Sequence, residues 1–224
     1  MTSTNPSKVI AIDGPAGAGK SSVAKRLAQK LRFSYLDTGA MYRALTYKAL
    51  KSNIDLTQEE QLAALARMTE IDVIDEDGRV RVMLDGKDIS PNIRTQEVTD
   101  NTFYAARAPK VREVMVERQR EIGKARNIVV EGRDIGTVVF PQTPYKFYID
   151  ADLQIRARRR AGDFTASGEA FTIDQLAKAM AERDQKDLTR AVGPLCKAPD
   201  AVMIDSSDMS IEEVVDTIVR FVKS

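Results

Sequence analysis

Hydrophobic residues along the chain follow two periods that alternate. Five short apolar runs predict strands of a parallel sheet that is covered on both faces. These runs are Val9–Ile12, Phe33–Leu36, Ile128–Val130, Lys146–Ile149 and Ala201–Ile204. Between them, apolar residues three and four positions apart predict helices over Val23–Leu31, Leu45–Leu50, Leu62–Met68, Val111–Glu121, Ile155–Arg160, Ile173–Asp187 and Ile211–Val222. The alternation predicts an α/β fold, with about five parallel strands between two layers of helices.

A capping signal at the start of the last helix and one further segment add detail to the predicted fold. Ser210 and Glu213 have the spacing of a capping box at the start of the last helix. From Ile71 to Ile89, apolar and polar residues alternate, and Asp77-Gly78 and Asp85-Gly86 are dipeptides typical of tight turns. This segment predicts a small antiparallel β insert in the main domain.

Composition excludes several classes of function. The chain has 224 residues, with 34 basic and 33 acidic side chains, so its net charge of +1 provides no general attraction to nucleic acids or anionic membranes. The absence of histidine excludes histidine triads, histidine metal sites and histidine general bases. The single cysteine, Cys196, excludes an intrachain disulfide, and we expect it to be buried or semi-buried.

The polar start of the chain and the short length of its apolar runs predict the compartment of the protein. The first eight residues are polar and do not resemble a signal peptide, and no apolar run approaches the roughly 18 residues of a membrane span. We therefore expect a cytoplasmic monomer that binds neither a membrane nor a nucleic acid polymer.

The segment from Gly14 to Ser21 fits G-x-x-x-x-G-K-[ST], the phosphate-binding loop of many nucleotide-binding proteins. It lies between the first predicted strand and the first predicted helix, as the motif requires. Glycines allow the backbone to approach phosphates, the lysine supplies positive charge, and the serine hydroxyl can bind Mg²⁺. We expect ATP to be bound by Gly14, Pro15, Ala16, Gly17, Ala18, Gly19, Lys20, Ser21 and Ser22.

Arginines also follow two other predicted strands at their carboxyl ends, where ligands bind in parallel sheets. Arg43 comes soon after the second strand, and Arg133 and Asp134 come directly after the third. Because guanidinium groups hold phosphate with two parallel hydrogen bonds, they favour a second phosphate site. The alternatives are a solvated arginine at position 43 and an internal Arg133–Asp134 pair within a turn.

A third basic group lies in the second half of the chain. Arg156, Arg159 and Arg160 share one face of a predicted helix, and the small polar segment Ala161–Gly168 predicts a mobile loop after it. Together they predict a lid that brings arginines to the donor phosphates. A solvated basic face and, with less support from composition, contact with RNA are the alternatives.

Arg183, Asp187 and Arg190 have the i, i+4, i+7 spacing of residues on one helix face. That face would present two cations to phosphates and one carboxylate to a sugar hydroxyl. The alternative is a set of ordinary ion pairs within the helix.

Together these motifs resemble the bacterial cytidylate kinases, which are nucleoside monophosphate kinases of the P-loop superfamily. The resemblance runs from Val9 to Val222 and rests also on Ile93–Val98, Pro109–Arg112 and Thr137–Pro141. It implies a P-loop NTPase-type three-layer fold with a small antiparallel β insert and a mobile lid. Within a single kinase domain (1–224), the implied core is 8–36, 126–150 and 190–224, the acceptor-binding region is 37–125, and the lid is 153–189.

The resemblance further implies that ATP, with Mg²⁺, phosphorylates CMP or dCMP by direct in-line transfer. The implied catalytic residues are Lys20, Arg133, Arg183 and Arg190. The implied acceptor ligands are Thr38, Arg43, Arg112, Arg133, Asp134, Asp187 and Arg190, of which Arg112 and Asp134 would read the cytosine. Arg156, Arg159 and Arg160 would bind ATP from the lid, and Ser21 would bind Mg²⁺.

One position departs from the family pattern, and two other functions share the phosphate loop. Phe103 stands where the family usually has a serine that helps to recognise the base. A small-metabolite kinase resembling shikimate kinase would need neither the β insert nor Asp187. A non-enzymatic nucleotide switch would not need arginines at three separate sites.

Overall fold

A computed structural model describes residues 7–76, 79–165 and 171–223. The strands are β1 (Val9–Asp13), β2 (Ser34–Asp37), β3 (Ile71–Glu76), β4 (Arg79–Leu84), β5 (Lys87–Asp88), β6 (Ile128–Gly132), β7 (Tyr145–Asp150) and β8 (Val202–Asp205). The helices are α1 (Lys20–Leu31), α2 (Thr38–Lys51), α3 (Glu59–Met68), α4 (Gln96–Arg107), α5 (Pro109–Lys124), α6 (Leu153–Thr165), α7 (Ile173–Thr189) and α8 (Ile211–Lys223).

Within the described residues, the main sheet has five parallel strands in the order β2-β6-β1-β7-β8. Alternate residues of each strand face opposite layers, because side chains of a strand point alternately up and down. Ala11 and Val130 face the cluster formed with α2, α3 and α5. Ile12 and Val129 face the cluster formed with α1 and α8. The predicted three-layer α/β fold is thus confirmed, and all five predicted strands are present.

The β insert is also confirmed, since β3, β4 and β5 form a separate antiparallel sheet. Asp85 and Gly86 both have positive φ, as the predicted tight turn requires. The other predicted turn, Asp77-Gly78, lies outside the described residues. The capping box at α8 is present as well, because Ser210 and Glu213 exchange hydrogen bonds between side chain and backbone.

Four sequence predictions need correction. Helix α4 was not predicted, and its buried positions include Thr102, whose hydroxyl donates to the carbonyl of Val98. The predicted mobile loop Ala161–Gly168 is wrong over 161–165, where α6 continues, and 166–168 lie outside the described residues. Helix α7 ends at Thr189, so Arg190 is its extended C-cap residue. Cys196 is exposed.

No helix in the described part of the chain is long and apolar enough to cross a membrane.

The phosphate loop leaves β1 through a residue that has no space for a side chain. Gly14 has φ +147°, and a Cβ there would lie 1.9 Å from the carbonyl oxygen of Ile149 in β7. The loop therefore begins in direct contact with the neighbouring strand.

We predict that Gly14→Ala lowers the free energy of unfolding by about 2–3 kcal/mol, because the new methyl group must displace β7. Gly162→Ala is the matched control, since Gly162 lies in α6 with no neighbour within 4 Å of a Cβ. The control should gain roughly 0.5–1 kcal/mol, because alanine favours helix more than glycine does. Urea denaturation measures both, and equal stability of the two variants would contradict the packing described here.

Candidate active site

The phosphate loop joins β1 to α1 and is shaped by left-handed glycines. Gly17 has φ +75° and Gly19, the N-cap of α1, has φ +85°. This backbone exposes N–H groups next to the positive end of the helix dipole, which is an arrangement that binds anions. Lys20 is 5% exposed, and its ammonium donates to the carbonyl of Pro15 in its own loop at 2.5 Å.

A buried carboxylate lies against the start of α1. The Ser21 hydroxyl donates to Glu131 Oε2 at 2.9 Å, and the Tyr35 hydroxyl donates to Glu131 Oε1. Burial and the nearby Asp37 raise the pKa of Glu131, although Lys20 opposes this. The Thr38 hydroxyl donates to the main-chain carbonyl of Glu131 at 2.7 Å, so β2, β6 and the phosphate loop meet at this residue.

Positive charges converge beside the loop. Burial lowers the pKa of Lys20 to about 7, and repulsion from Arg133 and Arg183 adds to this effect. Burial likewise lowers the pKa of Arg183 to about 10, again with a contribution from Arg133. Among the described residues, Arg183 makes no hydrogen bond and no ion pair. These three cations therefore share one electrostatic environment that nearby carboxylates neutralise only in part.

Arginines at the carboxyl ends of β2 and β6 are held by carboxylates. Arg43 donates to Asp37 at 2.8 Å, and Arg133 donates to Asp187 at 2.9 Å. Burial raises the pKa of Asp37, but Arg43 and the N–H of Ala40 outweigh it and lower the pKa overall. Arg133 and its partner come from different elements, since Arg133 follows β6 and Asp187 lies on α7, so the alternative of an Arg133–Asp134 pair within a turn is wrong.

A second charged cluster lies next to the first. Arg112 of α5 donates to Asp134, and Arg190 approaches the other oxygen of that carboxylate at 3.3 Å. Arg112 also donates to the Tyr42 hydroxyl at 3.3 Å. Burial raises the pKa of Asp134, although both arginines oppose it. Arg190 reaches this cluster from the end of α7 and not from its helical face, contrary to the expected i+7 placement.

Several buried donors in these clusters have no hydrogen-bond acceptor. Within the described residues they include Nε of Arg43, Nε of Arg112 and Nη2 of Arg190. Unsatisfied buried donors are costly, so a ligand or water that supplied acceptors here would be bound favourably. The structure therefore brings together Thr38, Arg43, Arg112, Arg133, Asp134, Asp187 and Arg190 through shared partners and neighbouring elements.

The lid arginines have partners within the protein. Arg156 is buried and donates to the carbonyls of Ala151 and Ala16, both at 3.0 Å. Arg159 donates to the carbonyl of Ser206 at 2.6 Å. Arg160 is exposed and contributes to the positive potential at Arg183. All three lie on α6 as predicted, and their contacts with ATP stay predictions.

Phe103 packs between α4 and α7. Its ring meets Tyr104 edge to face, with 6.1 Å between centroids, and the Arg107 guanidinium lies 5.1 Å from its centroid. The Lys186 ammonium of α7 lies 5.6 Å from the same ring. Through its contact with Lys186, the ring of Phe103 links α4 to α7 in this structure.

Sequence reasoning did not name the carboxylates that organise the site. Asp13 and Asp37 end β1 and β2, and Glu131 is the penultimate residue of β6, so a position at the carboxyl end of a strand was the available signal. Asp13 accepts from the N–H groups of Ile135 and Gly136, both at 2.8 Å, and so fixes the segment after Arg133 and Asp134. Burial raises the pKa of Asp13 to about 6, although these two N–H groups oppose the shift.

Comparison with known proteins agrees with this geometry. The sequence profile of the family described as "Cytidylate kinase" matches residues 10–224. The chain belongs to the cytidylate kinase family. The cytidylate kinase of Desulforamulus reducens is 50% identical over 216 residues, which are 96% of this chain and 97% of that protein. The cytidylate kinase of Bacillus subtilis is 45% identical over 214 residues, which are 96% of each chain.

A solved structure shows the same fold at much lower similarity. An uncharacterised protein from Eubacterium ventriosum has a TM-score of 0.52 and 12% identity, over 97% of this chain and 99% of that one. The resemblance inferred from sequence is therefore confirmed at the level of the cytidylate kinase family, and neither the small-metabolite kinase nor the nucleotide switch is favoured. The roles of single residues and the boundaries of core, acceptor-binding region and lid stay predictions.

The lowered pKa of Lys20 predicts that a polyphosphate anion binds together with a proton. Lys20 is mostly neutral at pH 8 when its pKa is about 7, and an adjacent anion favours the charged form. Titration calorimetry with ATP at pH 8, in buffers of different ionisation enthalpy, should show uptake of about 0.9 proton. The affinity should fall about tenfold per pH unit from pH 8 to 9, because binding then requires protonation.

Lys20→Met is the control for this titration, since it removes the titrating group and should abolish most of the uptake. Proton uptake that is unchanged in Lys20→Met would assign the effect to another group.

Proposed function

We propose that this member of the cytidylate kinase family transfers the γ-phosphoryl group of ATP to CMP or dCMP, forming ADP and CDP or dCDP. The observation that carries the proposal is the convergence of Lys20, Arg133 and Arg183 beside the phosphate loop, where burial, with added repulsion from Arg133, lowers the pKa of Lys20 and Arg183. Two nucleotides that meet there would supply the negative charge that these cations lack.

The donor nucleotide would lie on the phosphate loop, with its phosphates on the N–H groups after Gly14 and its terminal phosphates at Lys20. Ser21 and Glu131 provide hard oxygen ligands that fit Mg²⁺, because this ion is held by one or two protein oxygens together with substrate phosphates. When bound, Mg²⁺ would neutralise charge on the phosphate oxygens. The fit rests on the Ser21–Glu131 contact, which places a hydroxyl and a carboxylate side by side.

The acceptor would occupy the crevice between β2, β6 and α7. Arg43, Arg133 and Arg190 would hold its phosphate, since two of them keep a buried donor without an acceptor. Thr38 would donate its hydroxyl to the same phosphate. Asp187, which pairs with Arg133, would also accept a hydrogen bond from a sugar hydroxyl of the acceptor. Arg112 and Asp134 would read the base, because a carboxylate accepts from the exocyclic amine of cytosine and repels the carbonyl of uracil.

The reaction needs no general base from the protein. An oxygen of the acceptor phosphate, already anionic, would attack the γ-phosphorus, and the bond from that phosphorus to the β,γ-bridging oxygen would break as ADP leaves. The enzyme contributes alignment of the two phosphates and stabilisation of the charge spread over their oxygens. Arg183, which has no hydrogen-bond or ion-pair partner among the described residues, is the group most available for this stabilisation.

The proposal extends to the location of the enzyme, its oligomeric state and the motion of its lid. Free nucleotides as substrates suit a monomeric cytoplasmic enzyme, and α6 and α7 would close over the donor as a lid. Arg156, Arg159 and Arg160 would then contribute to ATP binding from that lid.

An acceptor panel tests the function. ADP formation from ATP with Mg²⁺ is measured with CMP, dCMP, UMP, AMP, GMP and shikimate, and we expect turnover with CMP or dCMP far above the rest. Asp134→Asn should reduce the preference for CMP over UMP by roughly 5- to 150-fold while leaving ATP affinity unchanged. Turnover with shikimate alone, or nucleotide binding without any acceptor-dependent turnover, would reject the proposal.

Arg183→Met should separate activity from stability. We predict a fall in kcat of about 10²–10³, because a cation at the transferring phosphates is lost. The ligand-free variant should nevertheless gain roughly 0.5–2 kcal/mol of stability, because a buried charge repelled by Arg133 has been removed. Steady-state kinetics and urea denaturation measure the two effects, and a destabilised variant would contradict the electrostatic account.

A further inference from the structure

The phosphate loop is fastened to the predicted lid at one peptide group. The N–H of Ala16 donates to Asp184 Oδ1 of α7 at 3.2 Å, and its carbonyl accepts from Arg156 Nη1 of α6 at 3.0 Å. The same Nη1 donates to Asp184 Oδ2 at 2.5 Å, which closes a ring of hydrogen bonds. We call these three residues the Ala16 clamp.

The clamp is buried, unlike an ordinary surface ion pair. Asp184 and Arg156 are each 8% exposed, and Arg156 Nε donates to the carbonyl of Ala151. A buried pair is favourable only when hydrogen bonds satisfy both charges, and the Ala16 peptide supplies one bond to each. The loop itself is therefore a required partner of the Asp184–Arg156 pair.

Side-chain packing supports the same connection. A Cβ on Gly17 would lie 2.4 Å from the Met180 methyl group of α7 and 3.3 Å from Cβ of Arg156. Met180 belongs to the small hydrophobic cluster that joins α6 to α7. Helices α6 and α7 thus press directly on the glycine that shapes the loop.

The clamp determines which way α7 faces. Successive residues of a helix differ by about 100° in direction, so fixing Asp184 also fixes its neighbour Arg183 and, one turn later, Asp187. Arg183 has no hydrogen-bond or ion-pair partner among the described residues, so its place beside Lys20 and Arg133 depends on how α7 is held. The clamp holds the residue next to it, and the Arg133–Asp187 pair holds the following turn.

We propose that Asp184 and Arg156 are a positioning pair, which binds Ala16 so that the phosphate loop and α7 keep the register that aims Arg183 at the transferring phosphates. This proposal rests on the proposed kinase function. It also gives Arg156 a task in the ligand-free enzyme that differs from the ATP contact expected from sequence.

A double-mutant cycle on kcat tests the pair. Asp184→Asn keeps the shape and an acceptor for Ala16 but removes the charge that holds Arg156, and we expect kcat with CMP to fall about 10- to 100-fold. In the Arg183→Met background, the same substitution should change kcat less than about threefold, because the group that it positions is already absent. A merely structural role would instead give losses that multiply, and that result would overturn the proposal.

Controls separate folding from function. Asp174→Asn, at the exposed start of α7, should leave kcat unchanged, and circular dichroism reports whether each variant folds. If Asp184→Asn does not fold, Arg156→Gln replaces it in the cycle, with the same expected non-additivity. Turnover of CMP by the wild-type enzyme tests the kinase function separately, so multiplied losses in an enzyme that phosphorylates CMP reject the positioning pair alone.

A measurement on the wild-type protein needs no variant. The amide hydrogen of Ala16 should be protected from exchange in the ligand-free enzyme, because Asp184 accepts it. Exchange of this amide at the rate of an unstructured peptide would overturn the proposal.

Discussion

The constraint on which the site depends is a concentration of positive charge that the protein compensates only in part. Burial lowers the pKa of both Lys20 and Arg183, and repulsion from the nearby Arg133 lowers both further. Such an arrangement costs stability in the free protein and is reversed only by an anion of high charge. The fold provides three separate elements, namely the start of α1, the segment after β6 and helix α7, that bring these cations together.

Carboxylates around the crevice limit this cost. Asp37, Asp134 and Asp187 each hold an arginine that the proposed reaction would use, so these arginines are oriented before any ligand arrives. Cations that are already oriented need little rearrangement during the reaction. Electrostatic stabilisation of the transition state is large for that reason. Asp13 and the Ala16 clamp act indirectly, because they fix the backbone segments that carry the charged groups.

Sequence predicted the frame of the molecule well, for physical reasons. The strands are continuous apolar runs, and the phosphate loop needs glycine at Gly14, Gly17 and Gly19, where φ is positive, so both are visible in the local sequence. Helix α4 was missed because Val98, Thr102 and Ala105, its buried positions, form a weak apolar stripe with one hydroxyl that is satisfied within the helix. The extent of α6 was underestimated because Gly162 disfavours helix, yet the helix continues through it.

The sequence predicted most residues of the candidate site, but it did not predict the contacts between them. Arginines after strands are visible in the sequence, but their partners come from distant segments, as with Arg133 and Asp187 or Arg112 and Asp134. Glu131 and Asp184 were overlooked because a single acidic residue carries no periodic or motif signal of its own. Arg190 was placed on α7 by spacing alone, whereas the chain leaves the helix at that residue and its side chain turns back to Asp134.

The central claim is that these cations lack negative charge which two nucleotides jointly supply. The most direct test is a crystal structure with an analogue in which adenosine and cytidine are joined through their 5′-oxygens by a chain of phosphates. The account predicts phosphate oxygens within hydrogen-bond distance of Lys20, Arg133 and Arg183, with cytosine beside Arg112 and Asp134. An analogue whose adenosine end occupies the phosphate loop while its cytidine end lies outside the crevice would contradict it.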